Sequence, residues 1–302
     1  MNKKTKETVG TITVIVAAAL FIIFYIVYPL TIIPKLTGRA NRDIFNDPKF
    51  LPTNDPSFFT QKSMRPDTFT VISNDNIGLA ALYFSPKASS SNIRGTIILL
   101  HPDDTNRTAM ERYIEPLIQS GLAVVIYDQR ACGYSGGKYR SAGNYESDDL
   151  IEVIAELNLH ERLLRPLIIV GFGAGGDAAL YASKSEKKIS AIAAISPYLT
   201  TSRWIDKLKE RYGAWYIPFY RVVYFWWYQN ISGYSFDRTG VNNITPVEIK
   251  TVLLADSDLQ NSKELKKLME VSSAGLLTVK AKSVNNQELE RYIFDWILSE
   301  IR

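Results

Sequence analysis

Histidine is almost missing from this chain. Its 302 residues hold two, His101 and His160, and none follows position 160. Chemistry that relies on an imidazole after position 160 is therefore excluded. Cysteine is scarcer still. Cys132 alone rules out an internal disulfide and a cysteine-built metal cage, and it leaves the redox compartment undefined. Concentrated charge is lacking too. The net charge of +4 comes from 35 basic and 31 acidic residues spread along the chain, so nucleic acid is not an expected partner. No internal repeat and no low-complexity tract occurs.

One stretch lacks charge altogether. Residues 8–34, "TVGTITVIVAAALFIIFYIVYPLTIIP", carry no ionised side chain. A helix needs roughly 20 apolar residues to cross the hydrocarbon core, and this run is long enough. A cleaved signal peptide would be shorter and would end at small residues. Here Ala17 to Ala19 sit in the middle, with "LFIIFYIVY" after them, so a retained single-pass membrane anchor is expected. Lys3, Lys4 and Lys6 precede the run, and Lys35, Arg39 and Arg42 follow it. That near-tie gives the positive-inside rule little to act on. The short basic tail favours an inside N-terminus and an extracytoplasmic globular part. Residues 35–66 are polar and dotted with proline, as in an extended connector.

From residue 67 the texture is globular. "DTFTVIS" and "IGLAALYF" flank "NDN", a hairpin signal. "GTIILLH", "LAVVIYD", "PLIIVGF" and "ISAIAAIS" are short, dense apolar runs, suited to strands buried on both faces of a parallel sheet. Helical segments fill the gaps. In "ESDDLIEVIAELNLHER", Leu150, Val153, Ile154 and Leu157 share one helical face. The alternation breaks at residues 199–246, which are rich in Trp, Tyr and Phe. It resumes with "IKTVLLAD", a helix near 261–270, "GLLTVKAK", and a last helix with Leu289, Tyr292, Ile293 and Trp296 on one face. The pattern predicts one α/β domain, 67–302: a mostly parallel twisted sheet, helices on both faces, and an insertion after the fourth parallel strand.

Several motifs carry a resemblance. "TIILLHPDD" resembles the strand that ends at the oxyanion hole of the α/β-hydrolase superfamily, in particular its membrane-anchored serine esterase or peptidase-like members. "VVIYDQRACGYSGGKY", "GNYESDDLIEVI", "VGFGAGGDAAL" and "VLLADSDLQ" resemble, in order, the segment after the next strand, the helix that follows, the nucleophile elbow, and the strand end bearing the catalytic acid. The resemblance runs from about residue 66 to the C-terminus. It implies an α/β-hydrolase fold with the 199–246 insertion as a cap over the pocket.

It also implies a degenerate triad. The elbow tip, where the family has its nucleophilic serine on a tight strand-to-helix turn, is Gly173. The acid position is retained: Asp258 fits by spacing from "VLL", with Asp256 as the alternative. The family's histidine belongs near "KSVNNQ", residues 282–287, and none is there. A serine triad needs nucleophile, base and orienter together. The oxyanion-hole positions fall on the backbone of Ala174 and Asp103. Pro102, in place of a glycine, has no N–H, and a carboxylate at this place would oppose a developing oxyanion. His101 matches a histidine that is usually structural in the family, and His160 reads as the end of a surface helix. Ser135, in "GYSGG", fits Gly-x-Ser-x-Gly literally but has no helix directly behind it, and the family has a non-catalytic serine there.

Other readings stay open. Gly171, Gly173 and Gly176 also spell a dinucleotide-binding loop, although the next strand ends in Ser196 and Pro197 rather than an acid. His101, Asp103, Asp104 and Asp258 would all lie at strand ends, where a metal could bind, but acids without fixed spacing are weak evidence. No cofactor or metal is expected. Trp215, Tyr216, Phe219, Phe225, Trp226 and Trp227 either pack the cap onto the core or sit at a lipid interface. The expected function is non-hydrolytic, as in a pseudoenzyme: binding of a small-molecule or protein ligand at a membrane. The alternative is a hydrolase built on His101 and Asp258.

Overall fold

The computed structural model describes residues 3–38, 65–86, 93–103, 105–212, 220–234, 249–272, 276–280 and 286–300. Asp104, the positions of Trp215, Tyr216 and Phe219, most of "KSVNNQ" and most of the 35–66 connector lie outside them.

The apolar N-terminus is helical throughout: α1 (Lys3–Ile22), a π-helical turn (Ile23–Val27) and α2 (Tyr28–Thr37). Within it, Thr8–Thr31 is long and apolar enough to cross a membrane, with a mean hydropathy of 2.6. The helix continues past Pro34, and Ile33 and Thr37 are buried against the rest of the protein.

β1 (Asp67–Ile72) and β2 (Gly78–Phe84) pair antiparallel through a turn in which Asn76 takes a φ of 61°. Asparagine is among the few residues that accept that conformation readily. The chain then alternates: β3 (Gly95–Leu100), α3 (Glu111–Gln119), β4 (Leu122–Tyr127), α4 (Asn144–Leu159), β5 (Leu167–Phe172), α5 (Ala174–Ala182) and β6 (Ile189–Ile195). Two helices follow in the insertion, α6 (Thr201–Tyr212) and α7 (Tyr220–Ser232). The last elements are β7 (Lys250–Ala255), a single turn α8 (Ser257–Gln260), α9 (Lys263–Val271), β8 (Leu276–Lys280) and α10 (Asn286–Glu300). Among the described residues the sheet has eight strands in the order β1-β2-β4-β3-β5-β6-β7-β8, parallel from β4 onward.

The period of two along each strand sorts the core into two layers. Ile98, Leu100, Val125 and Ile169 face α4, α5 and α9; Ile97, Leu99, Val124 and Ile168 face α3 and α10. Leu150, Val153, Ile154 and Leu157 of α4 are fully buried, as their spacing predicts, and each contributes about 1.5–3 kcal/mol. In α10, Ile293 is buried while Tyr292 and Trp296 pack partly against the same layer. A third cluster joins the N-terminal helix to the insertion: Ile33, Tyr139, Trp204, Ile205, Tyr224 and Tyr228.

Candidate functional site

The carboxyl ends of the parallel strands form the floor of a pocket of about 670 Å³. β3 delivers Pro102 and Asp103, β5 delivers Gly173, β6 delivers Ser196 to Tyr198, and β7 delivers Asp256. Arg203, Lys207 and Glu210 of α6 stand over them. Open α/β sheets place ligands at this end, where strand direction exposes the loops.

Gly173 is the turn between β5 and α5. Its φ of 54° and ψ of −124° lie in a region that L side chains rarely adopt. The turn closes on itself: the Gly173 N–H donates to Ile195 O at 2.9 Å, and the Gly173 carbonyl accepts from Gly176 N at 2.9 Å. Gly171 is needed for the same closure, because a Cβ there would lie 2.3 Å from Gly175 O. The elbow is therefore complete in its backbone.

What stands above it is the Asp103 carboxylate. Its Oδ2 accepts the Ala174 N–H at 3.2 Å, at the positive N-terminus of α5. The Tyr198 hydroxyl hydrogen-bonds the same carboxylate, and Arg140 Nη1 lies 3.9 Å from Oδ1. Burial, then the Asp103 charge, pushes the Tyr198 hydroxyl far above its ordinary pKa, so it stays a donor. A Cβ on Gly173 would lie 2.9 Å from Asp103 Oδ2. The Ala174 N–H is the donor that an acyl-transfer oxyanion would use, and here it already holds a carboxylate oxygen. The same contact bears on the dinucleotide reading, since a phosphate at this helix end would meet a carboxylate.

His101 is buried behind this loop. Its Nε2 accepts the Gln129 N–H at 3.0 Å, which leaves Nδ1 to donate to Pro102 O at 2.9 Å. Burial lowers its pKa, against the opposing pull of Asp128, so the ring is held neutral and braced between two loops. Asp258 is on the other side of the pocket wall. Its carboxylate is 60% exposed and pairs with Lys207, whose hydrogen bond lowers its pKa. No hydrogen bond or ion pair links His101 to Asp258. Of the two candidate acids, Asp256 is the one that lines the pocket. It caps α8 by accepting Leu259 N at 2.7 Å and lies 3.7 Å from Arg203 Nη2. Among the described residues, no three His, Cys, Asp or Glu side chains converge as a metal cage would.

Ser135 is fully buried. Its Oγ donates to Asp128 O and accepts Ala80 N at 2.9 Å, tying β2 to the end of β4. Asp128 itself accepts the N–H groups of Arg107 and Tyr134 at 2.8 and 2.9 Å. Of the aromatics in the insertion, Phe225 and Trp227 pack partly against the third cluster, while Trp226 is 57% exposed.

Some residues of the site carry no sequence signal of their own. Asp177, fully buried in α5, accepts the N–H groups of Tyr198 and Leu199 at 2.9 and 2.7 Å and so fixes the β6–α6 turn. A charged residue inside the small-residue run "AGGDAAL" was the available hint. Tyr198 and Arg140 meet Asp103 only through the tertiary fold.

An eight-stranded sheet in this order, with its strand-to-helix elbow after the third parallel strand, is the α/β-hydrolase fold. Residues 91–267, more than half of the chain, match the family of serine aminopeptidases termed S33, and the chain belongs to that family. Among solved structures it is similar to the Pyrococcus furiosus esterase Pf2001, at a TM-score of 0.59 and 19% identity over 80% of this chain and 91% of that one. It is also similar to the esterase EaEST from Exiguobacterium antarcticum, at a TM-score of 0.52 and 16% identity over 78% of this chain and 99% of that one. At such identities the likeness is one of fold. The uncharacterized protein YqkD of Bacillus subtilis (strain 168) is 42% identical over 62 residues. That match spans only 20% of the length of either protein.

Proposed function

We propose that this chain is a membrane-anchored α/β-hydrolase-fold protein that binds a ligand and does not hydrolyse it. The observation that carries the reading is the Asp103 carboxylate seated on the Ala174 N–H above a glycine elbow. Ester or peptide hydrolysis builds negative charge on an oxygen at that donor, and electrostatic stabilisation there is commonly the largest catalytic contribution. A resident carboxylate turns the contribution unfavourable. Gly173 supplies no nucleophile, and neither ring nitrogen of His101 is free to act as a base on a molecule in the pocket.

The pocket remains as a binding cavity. Arg203 and Lys207 line it together with Asp103, Glu210 and Asp256, so a ligand carrying both charges, or a polar neutral one, matches its lining. Thr8–Thr31 is read as a retained single span, with the basic N-terminal tail inside and the globular domain on the extracytoplasmic side.

The test is labelling of the full chain with a serine-reactive fluorophosphonate, together with ester and aminopeptidase assays. Neither adduct nor turnover is expected. Robust turnover that disappears with Asp258→Ala or His101→Ala would overturn the reading in favour of a hydrolase built on those two residues. Mass spectrometry of molecules co-purifying with the protein would identify the ligand class.

A further inference from the structure

We propose that α7 is a second membrane-contacting element, laid into the outer acyl region of a phospholipid leaflet with Val222 and Trp226 turned toward lipid. The proposal rests on the reading of Thr8–Thr31 as a retained span. From Val222 to Ser232 the helix carries no ionised side chain. Val222 and Trp226, one turn apart on the same face, are 68% and 57% exposed. The other face is spoken for, with Tyr224 and Tyr228 buried against Ile33 and Trp204.

The contact that sets the depth is a hydrogen bond to the apolar helix itself. Trp227 Nε1 donates to Tyr25 O at 2.9 Å. Tyr25 lies in the π-helical turn, where the regular i→i−4 ladder is interrupted. An unpaired indole N–H is costly in hydrocarbon, and the Tyr25 carbonyl gives this one an acceptor. Tyr25 is six residues before Thr31, the end of the apolar stretch, which places the contact about 9 Å along the helix from that end. Interfacial helices bury their apolar face to about 5–10 Å, and Trp and Tyr are favoured at that level. Trp226 packs edge-on against Trp227 with ring centroids 4.8 Å apart, so the bonded indole holds the exposed one.

The native thiol permits a direct test. Cys132 is buried, and burial pushes its pKa up to about 12, so introduced cysteines can be labelled selectively. Nitroxides would be placed by Val222→Cys and Trp226→Cys in the full chain. Val14→Cys in the apolar helix and Arg291→Cys on the exposed face of α10 serve as references. The protein is reconstituted into phosphatidylcholine vesicles with a minor share of phosphatidylglycerol. Molecular oxygen should relax the labels at 14, 222 and 226 more than a water-soluble nickel chelate does, with the order reversed at 291. Labels at 222 and 226 that follow 291 would overturn the proposal, and so would shielding from both reagents, which means that polypeptide covers the face. If 14 reports lipid while 222 and 226 do not, the anchor reading survives and this one falls; if 14 also follows 291, both fall. Trp227→Phe should sharpen the nitroxide spectrum at 226 by releasing α7, and an unchanged spectrum would refute the role given to the Tyr25 contact.

Discussion

Gly173→Ser recreates the side chain of a working elbow, and the structure sets what that change should do. Two costs add. The backbone at φ 54° and ψ −124° strains any residue with a Cβ, by roughly 1–3 kcal/mol. The new Cβ would also lie 2.9 Å from Asp103 Oδ2, so the carboxylate must retreat from the Ala174 N–H. Losing a charged hydrogen bond costs roughly 1.5–3 kcal/mol. The sum, about 2.5–6 kcal/mol, should lower the melting temperature by roughly 5–24 °C for a domain of this size. Thermal unfolding of the full chain in detergent measures it. A double-mutant cycle with Asp103→Gly separates the two parts, because the strain remains while the carboxylate contribution vanishes. Gly173→Ser should gain no fluorophosphonate adduct and no esterase turnover, since no imidazole stands beside it. An unchanged melting temperature would refute the claim that Asp103 and a side chain at 173 compete for one space. Turnover in the single variant would refute the wider argument that the site lacks a base.

Ser135→Ala should destabilise by about 1–3 kcal/mol, because it strands the buried Ala80 N–H and the Asp128 carbonyl, and it should leave ligand retention unchanged; loss of an activity on this substitution without loss of stability would restore Ser135 as a nucleophile. His101 predicts a pH dependence. Burial holds its folded pKa below the unfolded value of 6.5, so as pH falls through that value the unfolded chain takes up a proton that the folded protein refuses. Its stabilising contribution is complete above about pH 6.5 and is lost below it, at no more than about 1.4 kcal/mol per pH unit. Denaturant titrations near pH 7.5 and 5.5 should show the wild type losing stability relative to His101→Gln as pH falls; a difference between the two that stays constant across that interval would contradict the buried neutral ring.

Much of this architecture was legible in the order of residues. The dense runs at 95–101, 122–128, 166–172 and 189–196 became β3 to β6 because no polar side chain could sit between two helical layers. The glycines at 171, 175 and 176 marked the elbow because it closes too tightly there for side chains: a Cβ at 171 would lie 2.3 Å from Gly175 O, and one at 175 would lie 2.8 Å from Leu100. The site was harder to read. "HPDD" showed that an acid follows β3, but not that its carboxylate turns onto the Ala174 N–H. That direction depends on Tyr198 and Arg140, which are 95 and 37 positions away in the chain. The acid position was ambiguous for a similar reason. Asp256 and Asp258 share one tight turn, and only the folded structure shows that Asp256 lines the pocket while Asp258, 60% exposed, pairs with Lys207. The Trp227–Tyr25 bond joins residues with no common motif, through a π-helical turn that apolar composition does not announce.

The departures from a serine hydrolase are not independent of one another. A glycine at 173 leaves the space that the Asp103 carboxylate fills, and that carboxylate is then fixed by the Ala174 N–H, Tyr198 and Arg140. Arg140 is fixed in turn by its own backbone. Its N–H donates to Thr37 O at the end of the apolar helix, and its carbonyl accepts the Tyr228 hydroxyl of α7. The elbow, the insertion and the N-terminal helix thus meet at a single residue. Restoring a serine at 173 without removing Asp103 crowds the carboxylate, while removing Asp103 alone takes a carboxylate away from the buried Arg140 guanidinium. Each single step toward hydrolysis therefore costs stability before any base exists to profit from it. On that ground a hydrolytic variant of this chain should require at least three concerted changes, at 173, at 103 and in the loop after β8. A screen of single substitutions that yielded an active esterase would show that these constraints do not bind.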